Sequence, residues 1–222
     1  MQMRSNEEIA YNAVMDLIVQ HSYQPGSPVV ESQIAKKLKM SRTPVHSALK
    51  MLVSDGLLEN TVNKGCFVPN LSKEDLDELF NFRFVIEPPC VVDAALNYSP
   101  IYRERMDALI EEEGRSIKDN PGKLHVIDSK IHDLISEIAG NSYYMRSIKQ
   151  AHWKTQLYLF FYDDHYANRV EKLKLREKGG YKSPMQHMML FDAISDRDPE
   201  RAAAVVREHI TSTHVFLSNR KW

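Results

Sequence analysis

Apolar residues in the first seventy positions recur at helical spacing in three separate stretches. In SNEEIAYNAVMDLIVQHSYQPG, Ile9, Ala13 and Leu17 form one row and Val14 and Ile18 another, the period of an amphipathic helix. Ser5 with Glu8 makes a capping box at its start, and Gln24-Pro25-Gly26 stops it. ESQIAKKLK follows Val30, with Ile34, Ala35 and Leu38 on one side. A third helix begins near Thr43, with Pro44 in the first turn, where its missing N–H costs nothing. Val45, Leu49 and Leu52 form its inner row, and Gly56 ends it. LLENTVNKGCFVPN then predicts two short strands about an Asn63-Lys64-Gly65 turn. Helix, helix, turn, helix, hairpin is the order of a winged helix-turn-helix.

From Ser72 onward the period stays helical. SKEDLDELFNFRFVIEPPCVVDAALNY opens with a capping box and is expected to kink or break at Pro88-Pro89. Further helical stretches are punctuated by Asn120-Pro121-Gly122, Gly140-Asn141, Gly179-Gly180 and Asp198-Pro199. The expected fold is mainly α: a winged helix-turn-helix over 1–70, then an all-helical bundle of six or seven helices over 71–222.

Composition narrows this little. Apolar residues at 43% and charged residues at 27% are those of an ordinary globular chain. The net charge is −1, with only a slight basic excess in the first seventy residues. Cys66 and Cys90 form no metal or redox spacing and suit a reducing compartment. No apolar run is long enough to span a membrane, and MQMRSNEEIAYNAV is too polar for a signal peptide, so a cytoplasmic protein is expected.

Two stretches carry candidate chemistry. The first is SRTPVHSALKML. A recognition helix enters the major groove by its N-terminus, so its first residues need hydroxyls and cations while its back needs apolar residues. Ser41 and Thr43 suit phosphate oxygens, and Arg42 suits a guanine edge. His46 and Lys50 continue the row, and Lys64 sits at the hairpin tip. The plain alternative makes Ser41 an N-cap and Arg42 a solvated side chain.

In the second stretch, Asp128 and His132 stand four residues apart, on one face of a helix. His187 and His209 fall on two consecutive helices; if these run antiparallel, three imidazoles and a carboxylate converge. Such a set suits Zn, Ni, Co, Mn or Fe. The plain alternative is a helix-surface contact. His125, His152, His165 and His214 show no pattern. Trp153, Tyr158 and Phe161 are either pocket or core, with core favoured for Phe161.

QPGSPVVESQIAKKLKMSRTPVHSALKMLVSDGLLENTVNKGCFVPNLS resembles the N-terminal domain of the GntR family of bacterial transcription regulators. The resemblance implies that Ser41, Arg42 and Thr43 contact operator DNA and that Gly65 lies in the wing. Arginine is usual in the family where this chain has His46, and frequent where it has Ser32, so a changed base preference or lower affinity is expected. DSKIHDLISEIAGN and HMMLFDAISDRDPERAAAVVREH look like the FCD effector domain of the FadR-like branch. That likeness implies a divalent metal on Asp128, His132, His187 and His209, with a small carboxylate effector completing its coordination. It also implies that Arg83 faces the pocket, against a plain ion pair with Glu87. An arginine frequent in the branch is absent from AHWKTQLYLFFY, where Trp153 is the candidate effector contact. The expected protein is a homodimeric regulator, most often a repressor in this family, acting on a near-palindromic operator. A metal-dependent hydrolase with Glu137 or Glu208 as base, and a protein-binding winged helix, are the alternatives.

Overall fold

The computed structural model describes residues 5–19, 22–62, 64–119, 124–162 and 183–219. Helices α1 (Asn6–Val19), α2 (Glu31–Leu38) and α3 (Arg42–Ser54) are followed by strands β2 (Glu59–Thr61) and β3 (Gly65–Phe67). The Ser5 hydroxyl accepts from the Glu8 N–H at 3.2 Å, so α1 is capped where the sequence predicts. Its buried row runs through Ala10, Val14 and Ile18, whereas Ile9 is 43% exposed. The hairpin has a third member. Strand β1 (Pro28–Val29) pairs antiparallel with β3, Val29 opposite Cys66, giving the order β1-β3-β2. A two-residue strand carries no alternation and escapes a period search. Asn63 lies outside the described residues, while Gly65 takes φ +89 at the start of β3.

Val45, Ala48, Leu49 and Leu52 of α3 pack with Val14, Ile18, Ile34, Leu57 and Leu58 into one core. Three residues from far along the chain, Trp153, Leu157 and Phe160, complete it. The N-terminal module therefore closes its core with a helix of the C-terminal body.

That body begins at α4 (Lys73–Asn97), whose Ser72 cap accepts from the Asp75 N–H at 3.1 Å. Pro88 and Pro89 do not interrupt α4. Two internal prolines remove the N–H partners of the Phe84 and Val85 carbonyls, a penalty of roughly 3 kcal/mol or more for each in a bare helix. Burial of Leu76, Phe80, Cys90, Val91, Ala94 and Ala95 against the rest of the bundle outweighs it. A single 3-10 turn (Pro100–Tyr102) leads into α5 (Arg103–Asp119), α6 (Leu124–Ala139), α7 (Ser142–Tyr162), α8 (Ser183–Ser195) and α9 (Pro199–Ser218). Asp198 caps α9 by accepting from the Arg201 N–H at 3.0 Å. Helix α4 packs chiefly against α9 and α6, and also against α7. Six α-helices thus form the body among the described residues. The breaks expected at Asn120-Pro121-Gly122 and Gly179-Gly180, and His165, lie outside them.

From Ala151 onward helix α7 is buried on nearly every side. His152, Thr155 and Gln156 join the polar interior of the body, and Tyr158 joins its apolar core. On another side Lys149 Nζ reaches Asp55 Oδ1 at 2.8 Å and Gln150 Nε2 donates to the Ser54 carbonyl at 3.0 Å. Tyr158 donates to the Ser72 carbonyl at 2.9 Å and to Asp75, which also accepts from Lys154 at 2.7 Å. The end of α3 and the start of α4 are both held by α7. Leu157 is fully buried in the N-terminal core. Leu157→Ala is expected to destabilise the protein by about 2–5 kcal/mol, read from the urea midpoint of the full chain.

Candidate functional site

The N-terminus of α3 points to solvent. Ser41 is its N-cap but makes no side-chain cap bond, and Ser41, Arg42 and Thr43 are all exposed. Among the described residues Arg42 has no ion-pair partner, so its guanidinium is available. The free N–H groups of the first turn add a positive end to the same spot. Beside it runs a groove of about 380 Å³ between α3 and the sheet, whose lining includes His46, Lys50, Lys64, Gly65 and Glu31. A Cβ on Gly65 would meet nothing within 4 Å, so φ +89 and not crowding favours glycine there. The structure therefore gathers His46, Lys50, Lys64 and Gly65 along one groove, with Ser41, Arg42 and Thr43 at the helix tip. Glu31 is the residue the sequence does not flag: its Oε2 lies 2.8 Å from His46 Nδ1, so the imidazole in the position usual for arginine already has an acidic partner.

The second site is interior. Ligating atoms of Asp128, His132, His187 and His209 all lie within 4.8 Å of one another, and all four residues are buried. Helix α6 supplies the first two one turn apart, α8 supplies His187 and α9 supplies His209. Surrounding groups orient the rings. His187 Nδ1 is 3.0 Å from Glu113 of α5, and His209 Nδ1 is 3.2 Å from Gln186 Oε1. With an N–H on each Nδ1, the Nε2 lone pairs remain for the centre. Asp128 Oδ2 accepts from Gln156 Nε2 at 2.7 Å while Oδ1 lies 3.6 Å from His187 Nε2. His132 Nε2 is buried and has no hydrogen-bond partner. An orphaned ring nitrogen among oriented imidazoles and a carboxylate fits a divalent ion.

Electrostatics keep His132 and His209 neutral. Burial, reinforced by the neighbouring His152 and His187 charges, pushes His132 well below the usual histidine range. Burial and then His187 bring His209 down to about 3. Burial works against a charge on His187 too, but the Glu113 carboxylate beside it raises its pKa. Burial alone would raise Asp128; His152, whose Nδ1 is 3.8 Å from Oδ2, and the His187 charge outweigh it and hold the carboxyl at about 2.

Against this set lies a second polar layer. His152 stacks on His132 with ring centres 3.6 Å apart, and its Nε2 is 3.2 Å from Glu87 Oε1. Burial disfavours a charged His152, yet Glu87 raises its pKa. Arg83 donates to Glu87 at 2.6 Å and reaches Thr155 Oγ1 at 3.3 Å. The ion-pair reading of Arg83 is thus realised, and its guanidinium stands one layer behind the four ligand residues. Glu87, His132 and His152 also bring ligating atoms together, but Arg83 already occupies that carboxylate. Trp153 sits elsewhere: it packs in the N-terminal core, and adjacent residues of one helix cannot both face the ligand set. Glu137 is bound to Arg105 at the surface at 2.6 Å, and Glu208 is exposed, so neither candidate base attends the cluster.

An exposed helix tip beside a wing, joined to a helical body with a buried Asp/His cluster, is the arrangement of a DNA-binding regulator. Comparison with known proteins gives the same class. Residues 6–68 match the bacterial regulatory proteins of the gntR family, and residues 78–212 match the FCD domain. The chain belongs to the GntR family, in the branch that carries an FCD domain, and is a transcription regulator and not an enzyme. It is 24% identical over 206 residues to the HTH-type transcriptional regulator YdhC of Bacillus subtilis (strain 168), covering 90% of this chain and 85% of that one. It is 24% identical over 194 residues to the Nta operon transcriptional regulator of Aminobacter aminovorans, covering 87% and 86%. The solved structure of E. coli McbR/YncC superimposes with a TM-score of 0.75 at 22% identity, over 97% of this chain and 98% of that one. No described helix is long and apolar enough to cross a membrane.

Arg83 and Glu87 are 1% and 2% exposed. Removing one partner strands a buried charge, so Glu87→Ala is expected to cost about 3–5 kcal/mol in urea unfolding. Replacing both by leucine should cost much less.

Proposed function

We propose that this regulator is a cytoplasmic, homodimeric repressor whose hold on a near-palindromic operator is set by a small organic acid bound in the C-terminal body. On this reading residues 1–70 contact DNA and residues 71–222 sense and dimerise. Arg42 reads a base edge, Ser41 and Thr43 hold phosphates, and Lys50, Lys64 and Gly65 follow the duplex along the groove. The His46–Glu31 pair takes the place of a free cation, which predicts a base preference shifted from that of family members with arginine there.

Asp128, His132, His187 and His209 would hold a divalent ion such as Zn or Ni, which when bound supplies coordination positions for the effector carboxylate. The observation that carries the reading is the orphaned His132 nitrogen at the centre of oriented donors. Signal transfer is the work of α7. Gln156 and His152 touch Asp128, His132 and Glu87 on one side. Trp153, Leu157 and Phe160 lie in the recognition module's core on the other. An effector that favours one placement of α7 shifts the population of DNA-competent dimers by its difference in affinity. Trp153 thus contributes as a transmitting contact and Arg83 through His152.

Arg42→Ala is expected to abolish preference for operator over random duplex in a salt titration while the far-UV spectrum is kept. Unchanged affinity and preference would refute the role given to α3. His187→Ala with His209→Ala is expected to strip bound metal in elemental analysis; stoichiometric metal in that variant would refute the ligand set.

A further inference from the structure

The outward face of α4 is apolar along its length. Phe82 is 45% exposed, Val85 71% and Leu96 57%, and Pro89 is exposed between them. With the half-buried Val92 they fall at alternating intervals of three and four residues, the a/d spacing of a helix–helix seam and not of a solvated face. The row is symmetric about Pro89: Phe82 precedes it by seven residues and Leu96 follows it by seven. A second copy laid antiparallel across it sets each Phe82 against the other Leu96, which is what an isologous two-fold contact requires.

Shape favours the same occupant. Toward the N-terminal end of α4 a cleft of about 640 Å³ is lined by Leu58, Leu79, Phe82 and Ala151 among others. At the opposite end Ile101, 75% exposed, and Leu96 project. A two-fold through Pro89 puts the projecting end of one copy at the level of the cleft of the other.

We propose that the outward stripe of α4, Phe82, Val85, Pro89, Val92 and Leu96, is the surface on which a second copy of this chain docks, the two α4 helices antiparallel about Pro89. This rests on the homodimer reading above and goes further by placing the two-fold axis. Sedimentation of the full chain is expected to give twice 25.7 kDa, and Val85→Arg with Leu96→Arg to give 25.7 kDa with an unchanged far-UV spectrum. Should that variant misfold, Pro89→Cys decides. The two introduced thiols meet at the axis. Each loses a proton and an electron to oxygen under copper–phenanthroline, and a disulfide-linked dimer is expected on a non-reducing gel. Val215→Cys, on exposed α9 surface, is expected not to cross-link. A dimer that persists in the double variant and fails to cross-link at residue 89 overturns the surface and leaves the homodimer reading intact. A monomeric wild-type chain overturns both.

Discussion

The burial of α7 between two cores is the constraint on which the rest of this architecture depends. A surface helix keeps one face for water. From Ala151 onward this helix gives nearly all its faces to protein: imidazole and amide groups inside the body, Trp153, Leu157 and Phe160 inside the recognition module, and Tyr158 and Lys154 on the segment joining them. Two modules that could have been tethered by a loose linker are instead packed through a shared element. The placement of the recognition helix is then tied to the interior of the C-terminal body, because α7 packs into both.

The interior polar set obeys the usual rule that buried charge needs compensation. Arg83 has Glu87, His187 has Glu113, and Asp128 has Gln156 and His152. His132 Nε2 has no hydrogen-bond partner, and neither do His152 Nδ1, Gln156 Oε1 and Gln186 Nε2 in the layers around it. What sets His132 apart is that its orphaned nitrogen belongs to the cluster of Asp128, His132, His187 and His209, whose potential ligating atoms all lie within 4.8 Å of one another. Its neighbours are arranged to keep lone pairs free, which separates this cluster from an ordinary buried ion-pair lattice.

Much of this is readable in the chain and some is not, for physical reasons. The helical period finds α3 and its inward residues because Val45, Leu49 and Leu52 need one apolar face and nothing else. Asp128 and His132 are visible because one turn of helix separates them. His152, Glu113 and Gln186 are not, because their partners come from other helices and no local spacing encodes them. The prolines mislead for a related reason: their penalty is local, while the burial of Phe80, Cys90 and Val91 that overrides it is tertiary. Trp153 is a pocket candidate through the family likeness of its helix; it packs in the N-terminal core, because successive helical residues diverge by about 100° and here serve different cores.

Pro88 and Pro89 carry one further meaning. With two N–H donors missing, the middle of α4 lacks two rungs of its ladder, and the Phe84 and Val85 carbonyls are released from axial bonding. The neighbouring rungs still cross that level, so the backbone there is weakened and not cut. The segment before it is held by Tyr158, Lys154 and the burial of Leu76 and Phe80, and the segment after it by the burial of Cys90, Val91, Ala94 and Ala95 in the same core. The continuity of α4 is therefore a property of the bundle around it and not of its own backbone.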